Sequence, residues 1–348
     1  MCPLALITAP VLSENTTEAR LDLDLYKYEY EFEYTELSEA CISASLAEAF
    51  VAAPVVFAVV VVLSLLGNTL VLVILGLYET LKSTANIFIL NLAVSDLIFT
   101  LGLPFWSSSY VWGWTFGEVM CKGMNFVSSA GFYSSTVFLM LLTIQHYIAV
   151  VHPQSQWNRM KPLAVIPIFA WVVSFTAASP DFLHCEVVAS ISENSTEVYC
   201  AHNSVEALLA GTYRKNLFFV VTFLIVGFCC VRILQANRRF RGNDDHTDLR
   251  GTQKETKSLV FCIALVFFVF WAPYNIVIFL QSLHIEPFTT CEVFIQLDSA
   301  FFVCRLLAYS HCCLNPVIYV LVVKTSRNHL RAFQRKIFQQ QDDADYEF

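Results

Sequence analysis

Apolar residues along the chain fall into seven long blocks that short polar connections separate. The blocks cover residues 51–78, 84–111, 117–150, 162–182, 212–238, 253–283 and 292–322. Each block holds about 20 residues or more, which is the length that an α-helix needs to cross a bilayer. We therefore predict an all-α fold, with a bundle of seven transmembrane helices over 51–324.

A shorter amphipathic pattern follows the seventh block. Leu330, Phe333 and Ile337 share one helical face, while four arginine and lysine side chains occupy the other faces. This pattern is typical of a helix that lies on the membrane surface. We predict such a helix over 325–338, with 339–348 as a short tail beyond it.

Charge is scarce and uneven. Only 14% of the residues are charged, against about 25% in a soluble domain, which excludes a disordered chain, a nucleic-acid binder and an ordinary soluble enzyme. The net charge of −8 comes entirely from residues 1–50, which hold ten acids and two bases. Four tyrosines lie among these acids: Tyr26, Tyr28, Tyr30 and Tyr34. The tail is either a solvated disordered segment or a docking strip for a basic partner, strengthened by tyrosine sulfation.

Basic residues predict the orientation of the bundle. Fifteen of the 21 lysines and arginines lie in the connections that follow odd-numbered blocks or in the C-terminal region. The positive-inside rule makes that side cytoplasmic and places 1–50 outside a plasma membrane. The glycosylation sequons at Asn15 and Asn194 both fall outside by this rule.

Six of the 12 cysteines lie at the predicted outer face, where an oxidising environment permits disulfides. A bond between Cys121 and Cys200 would hold the long loop after the fourth block over the mouth of the bundle, and Cys185 competes with Cys200 for that bond. A second bond, Cys41–Cys291, would tie the tail to the last outer loop.

Ionisable groups inside a membrane are costly and usually functional. Asp96 lies in the middle of the second block, and Asn68, Ser135, His311 and Asn315 lie at similar depth in other blocks. Together they predict a polar cluster that holds a sodium ion or switches protonation. The alternative is a neutral, hydrogen-bonded aspartic acid that only holds helices together.

Several separate motifs, in order on the seven blocks, resemble the rhodopsin-like G-protein-coupled receptors. They are Gly67-Asn68, Asn91-Leu92-Ala93-Val94-Ser95-Asp96, Trp171, Phe270-Trp271-Ala272-Pro273-Tyr274 and Asn315-Pro316-Val317-Ile318-Tyr319. The resemblance implies an activation switch built from Trp271 and Pro273 in the sixth block and from Asn315, Pro316 and Tyr319 in the seventh.

Within that family the chain resembles the chemokine receptors. The resemblance rests on the run from Trp112 to Gly117, the run from Ser310 to Pro316, the Cys41/Cys291 pair and the acidic tail. The segments 86–92 and 216–219, Arg305, and a fifth block without a central proline are similar to the XC (lymphotactin) branch.

This resemblance implies a peptide ligand, a secreted chemokine, that binds the tail and then inserts its N-terminus into the bundle. The candidate lining residues are Trp106, Tyr110, Ser128, Tyr274, Asp298 and Arg305. It further implies an inhibitory-class G protein as partner, with calcium mobilisation and chemotaxis as outputs, and arrestin as a second partner. Membrane lipid is a further expected partner, and nucleic acid is not. No cofactor other than the sodium ion is expected, and no enzymatic activity.

Two departures from the family pattern favour a second hypothesis. Gln145-His146-Tyr147 stands at the inner end of the third block, where the family has Asp-Arg-Tyr, so the usual ion pair cannot form. The segment 339–348 contains no serine or threonine for phosphorylation. An atypical receptor that captures chemokine with weak or no G-protein coupling is therefore the alternative.

Overall fold

A computed structural model describes residues 46–78, 83–154, 165–192, 195–240, 247–282 and 291–322. The helices are α1 Leu46–Tyr78, α2 Thr84–Trp112, α3 Gly117–Val151, α4 Val165–Leu183, α5 Val205–Phe240, α6 Thr247–Ser282, α7 Cys291–Tyr309 and α8 Leu314–Val322. Within these ranges, seven helical stretches are long and apolar enough to cross a membrane, and the seventh runs from α7 into α8. The predicted fold class is confirmed.

Three helices begin before the apolar blocks that predicted them. Helix α1 begins at Leu46, α5 at Val205 and α6 at Thr247, which is five to seven residues earlier than predicted. Backbone hydrogen bonds continue these helices past the charged residues Glu48, Glu206, Asp248 and Arg250, which had set the limits of the predicted blocks.

A β-hairpin that the sequence did not predict lies between α4 and α5. Strands β1 (Cys185–Ser192) and β2 (Ser195–His202) pair antiparallel, with Cys185 opposite His202. The Trp114 amide donates to the Val198 carbonyl at 2.7 Å, so the α2–α3 connection joins the hairpin. Gly113 permits this contact through its φ of +67°. We call this end of the bundle the hairpin end.

Close helix contacts and polar bonds hold the bundle together. A Cβ added at Gly131 would lie 2.7 Å from the Phe99 backbone, so α3 approaches α2 where only glycine fits. The Trp171 indole donates to Asn91 Oδ1 at 2.9 Å and joins α4 to α2. Small residues and interhelical hydrogen bonds of this kind replace the hydrophobic effect inside a membrane.

The seventh span is interrupted halfway. A four-residue 3₁₀ turn, Ser310–Cys313, separates α7 from α8. Side chains bond the carbonyls around it: the His311 Nδ1 lies 2.7 Å from the Ala308 oxygen, and Asn68 Nδ2 donates to the Cys312 oxygen at 3.0 Å. The turn therefore brings backbone and side-chain polar groups to the centre of the bundle.

Candidate functional site

The hairpin is fixed over the bundle by a disulfide. Cys121 at the start of α3 is bonded to Cys200 of β2, and Asn125 Nδ2 donates to the Cys121 carbonyl at 3.0 Å. The predicted Cys121–Cys200 bond is confirmed, and the competing pairing through Cys185 is wrong. Cys185 Sγ lies 3.7 Å from Nδ1 of His202.

A small pocket lies among α2, α3, α5 and α6. Its aromatic lining is Phe99, Phe132, Trp271 and Tyr274, and its polar lining is Ser128, Ser129, Lys215 and Asn275. Ligand sites have this composition, apolar with a few directed polar groups.

Trp271 connects this pocket with the centre of the bundle. Its ring centroid lies 4.4 Å from that of Phe132 and 5.0 Å from the His311 ring. Pro273 lies two residues further along α6, inside the helix, where it removes a backbone hydrogen bond. A displacement of the Trp271 ring would therefore press on both α3 and the seventh span.

A buried ion cluster joins three helices beside the pocket. The Asp181 carboxylate on α4 accepts hydrogen bonds from Arg214 on α5 and from the Ser129 hydroxyl on α3. Lys215 Nζ lies 3.7 Å from the same carboxylate, and Arg214 Nε also donates to the Tyr133 hydroxyl at 3.0 Å. Two cations thus share one carboxylate that is only 2% exposed.

His202 at the end of β2 lies within the electrostatic reach of this cluster. Burial and the neighbouring positive charge of Lys215 lower the pKa of His202 to about 4, against an opposing effect of Asp181. The imidazole is therefore neutral at pH 7 and adds no third positive charge.

Arg305 is buried on α7 among aromatic rings. Its guanidinium carbon lies 4.9 Å from the Tyr110 ring centroid and 5.1 Å from that of Phe301. Such cation–π contacts stabilise a desolvated arginine. The Phe301 ring in turn contacts Tyr274 at 5.9 Å, so Arg305 is linked to the pocket through aromatic side chains.

A second buried carboxylate, Asp96, lies deeper in the bundle. Ser135 Oγ donates to Oδ1 at 2.9 Å, and Asn315 Nδ2 donates to Oδ2 at 2.7 Å. Nε2 of His311 lies 3.7 Å from Oδ1. Asn68 is linked indirectly: its Nδ2 donates to Ser64 Oγ at 3.1 Å, Ser64 bonds the Thr100 hydroxyl, and Thr100 donates to the Asp96 backbone oxygen. The five residues predicted as a cluster are thus brought together on α1, α2, α3 and the seventh span.

The end of α3 opposite the hairpin carries Gln145, His146 and Tyr147. His146 is buried, and the Tyr147 hydroxyl lies 3.2 Å from Nε2 of His152. The Tyr147 ring also contacts Phe228 on α5 at 5.9 Å. Tyr147 therefore ties the end of α3 to α5 and to the residue that follows α3.

Comparison with known proteins identifies the family. Residues 67–319 match the family described as 7 transmembrane receptor (rhodopsin family). The human Chemokine XC receptor 1 is 37% identical over 88% of each chain. The mouse Chemokine XC receptor 1 is 36% identical over 82% of this chain and 83% of the relative. The human C-C chemokine receptor type 1 is 34% identical over 82% of this chain and 80% of the relative. The chain belongs to the chemokine receptors of the rhodopsin family.

In this receptor most of the predicted lining residues contact the pocket or one another. Ser128 and Tyr274 line the pocket, and the Trp106 indole donates to Ser128 Oγ at 3.1 Å. Tyr110 and Arg305 contact each other through a cation–π interaction. Their role in binding a ligand stays a prediction, as does the switch role of Pro316 and Tyr319, both of which are buried.

The receptor also has a functional candidate that sequence reasoning missed, the Asp181–Arg214–Lys215 cluster. A signal was present: Arg214 and Lys215 are two of the six basic residues that do not lie on the predicted cytoplasmic side. Cations on that side, at the end of an apolar block, need an acid, and Asp181 follows Pro180 at the matching end of the fourth block.

Other predicted features of the receptor lie outside the described residues. These are the tail tyrosines Tyr26, Tyr28, Tyr30 and Tyr34, the partner Cys41 of Cys291, the sequons at Asn15 and Asn194, and the helix at 325–338. Asp298 lies on α7, but its side chain is outside the described part. All of them stay predictions.

Proposed function

We propose that this receptor binds a secreted chemokine at the hairpin end, outside the cell, and signals through a heterotrimeric G protein of the inhibitory class. The observation that carries the proposal is the pocket between α2, α3, α5 and α6, beside a hairpin that the Cys121–Cys200 bond fixes to α3. A disulfide-fixed rim is preorganised, which lowers the entropic cost of binding a ligand at this end.

An XC chemokine is the first candidate ligand. The identities of 37% and 36% to receptors named for XC chemokines support this choice over the C-C class, for which the identity is 34%. The acidic residues 1–50 would attract the basic body of the chemokine and raise its rate of association.

Trp271 is the proposed relay between the ligand and the inner end of the bundle. It lines the pocket, and its ring contacts His311, which lies 3.7 Å from Asp96. An agonist needs only to favour the open inner face by a few kcal/mol to shift the equilibrium between the two states. A sodium ion beside Asp96 would favour the closed state.

A capture receptor with weak or no G-protein coupling is the second candidate. Gln145 and His146 replace the acid–arginine pair that controls coupling in the family, and His146 is buried within the bundle. The two candidate functions differ only in G-protein coupling at the inner end of the bundle. Both would use the same ligand pocket at the hairpin end.

Cells that express the receptor test both functions. The measurements are binding of a labelled XC chemokine, dissociation of inhibitory-class G protein, calcium release and uptake of the ligand. We expect saturable binding with a G-protein response that His146→Ala reduces at least tenfold. Binding and uptake without any response would establish capture instead, and no binding of any chemokine in a purified panel would overturn both.

A further inference from the structure

Two buried polar atoms on α6 have no hydrogen-bond partner among the described residues. They are the indole N–H of Trp271 and the amide oxygen of Asn275, on residues that are each 2% exposed. The Asn275 amide is oriented by its other end, because Nδ2 donates to the Trp271 carbonyl at 2.9 Å. Exchanging the amide oxygen and nitrogen would place two oxygens against each other there. Buried polar groups are nearly always bonded, so both atoms need a partner.

Two hydroxyl groups of α3 line the same pocket as these atoms. Ser128 Oγ accepts the indole N–H of Trp106 at 3.1 Å, which leaves the hydroxyl hydrogen of Ser128 able to donate. Ser129 donates its hydroxyl hydrogen to Asp181, which leaves lone pairs on the Ser129 oxygen able to accept. Together with the two atoms on α6, the pocket presents two donors and two acceptors.

The size of the pocket and this mixture of groups define the ligand. The pocket has room for about one water molecule. An anion would leave the oxygen of Asn275 without a donor, and a cation would leave the indole N–H of Trp271 without an acceptor. A cation would also meet Lys215, whose side chain lines the pocket while its ammonium is paired with Asp181. A water molecule donates two hydrogen bonds and accepts two, which matches the four groups.

We propose that this pocket is a site for one ordered water molecule, which joins Trp271 and Asn275 on α6 to the two serines of α3 and holds the Trp271 ring in position. Buried waters typically make about three hydrogen bonds and are costly to remove. Because Ser128 also bonds Trp106, the bridge extends to α2. This inference goes beyond the proposed function, since it concerns the receptor without a ligand.

Nuclear magnetic resonance of the purified receptor tests the site, with an isotope label on the indole nitrogen of tryptophan. Trp271→Phe identifies the Trp271 signal among those of the six tryptophans. We expect cross-relaxation between the Trp271 indole hydrogen and water, with an intensity that does not grow as the pH is raised. Trp171 is the internal control, because its indole N–H is bonded to Asn91 Oδ1 and should show no such contact with water.

A variant of Asn275 then tests the bridge. Asn275→Leu replaces the acceptor by an apolar side chain of similar size, so the water signal at Trp271 should be lost. The Trp271 resonance should also broaden or split, because the ring loses the bridge that holds it. Asn216→Leu is the matched control: Asn216 Nδ2 also donates to the carbonyl four residues earlier, at 3.1 Å, but does not line this pocket. It should leave the Trp271 signals unchanged.

Three results would overturn the inference. The first is a wild-type Trp271 hydrogen without any water signal. The second is a signal that grows with pH, since such a signal reports exchange with bulk solvent. The third is a signal that persists unchanged in Asn275→Leu. The wild-type measurement leaves the receptor unaltered, so it decides even where Asn275→Leu does not fold. Chemokine binding is measured separately, and its failure would leave the water site standing.

Discussion

Two buried carboxylates in this receptor are stabilised in opposite ways. Asp181 lies near the hairpin end and is held by the cations Arg214 and Lys215. Asp96 lies in the centre of the bundle and is held by the neutral donors Ser135 and Asn315. Fixed positive charges keep a carboxylate ionised, whereas neutral donors let it exchange its charge with an ion or a proton. We therefore expect the Asp181 site to keep its charge, and we propose the Asp96 site as the one that exchanges charge with an ion or a proton.

The same substitution at both sites tests this contrast most strongly. Asp181→Asn leaves two buried cations without an anion, and we expect it to lower the stability of the detergent-solubilised receptor by about 3–5 kcal/mol. Asp96→Asn keeps one acceptor oxygen for Asn315, and its new amide N–H can donate to the Ser135 hydroxyl, so stability should change by less than about 1 kcal/mol. Thermal unfolding of both variants gives the comparison.

A triple variant is the control for the Asp181 site. Asp181→Asn combined with Arg214→Met and Lys215→Met removes the unpaired cations, so it should be more stable than Asp181→Asn alone. Equal stability of wild type and Asp181→Asn would show that the cluster contributes little.

Acid should lower the stability of the folded receptor through protonation of His202, which lies near Asp181. Because the pKa of His202 is lowered to about 4 in the folded receptor, the unfolded chain binds a proton first as the pH falls below about 6.5. Stability should therefore be full above pH 6.5 and fall between pH 6.5 and 4, by no more than about 3 kcal/mol. Thermal midpoints across this range measure the effect.

His202→Gln should flatten that part of the pH profile. An unchanged profile in this variant would assign the acid sensitivity to other groups.

Sodium should act only on the Asp96 side. If the cluster binds the ion, agonist affinity should decrease about five- to tenfold when sodium chloride replaces choline chloride at equal ionic strength. Asp96→Asn should abolish this decrease, while a conservative change at the other site, Lys215→Arg, should leave it intact. An equal sodium effect in Asp96→Asn would exclude the predicted ion site.

The smallest expected effect concerns a hydrogen bond that involves neither carboxylate. Trp171→Phe removes the bond to Asn91 Oδ1 and should lower stability by about 0.6 kcal/mol, the mean for interhelical bonds in membranes. A loss of stability as large as that of Asp181→Asn would mean that the buried ion cluster contributes no more to stability than a neutral interhelical hydrogen bond.

The sequence predicted the helices and the Asp96 cluster for related physical reasons. A bilayer requires long apolar helices, and polar side chains at equal depth in such helices must find each other. Asp96, Ser135 and Asn315 could therefore be grouped without knowing the packing. The sodium ion itself stays a prediction.

The hairpin and the Asp181 cluster were harder to predict. Strands β1 and β2 are short and outside the apolar blocks, so neither length nor hydropathy distinguishes them from a loop. Asp181 and Arg214 are 33 residues apart and lie near the ends of their apolar blocks, where charged residues usually face water. Only the packing of α3, α4 and α5 brings them together.

The 3₁₀ turn at Ser310–Cys313 has a mechanical consequence. A 3₁₀ segment rises about 2.0 Å per residue with three residues in each turn, whereas an α-helix rises about 1.5 Å with 3.6. Each residue that converts to the α form would therefore draw the two halves of the seventh span about 0.5 Å closer and twist one against the other by about 20°. His311 belongs to this turn and lies 3.7 Å from Asp96, so such a conversion would shorten and rotate the seventh span at the level of that carboxylate.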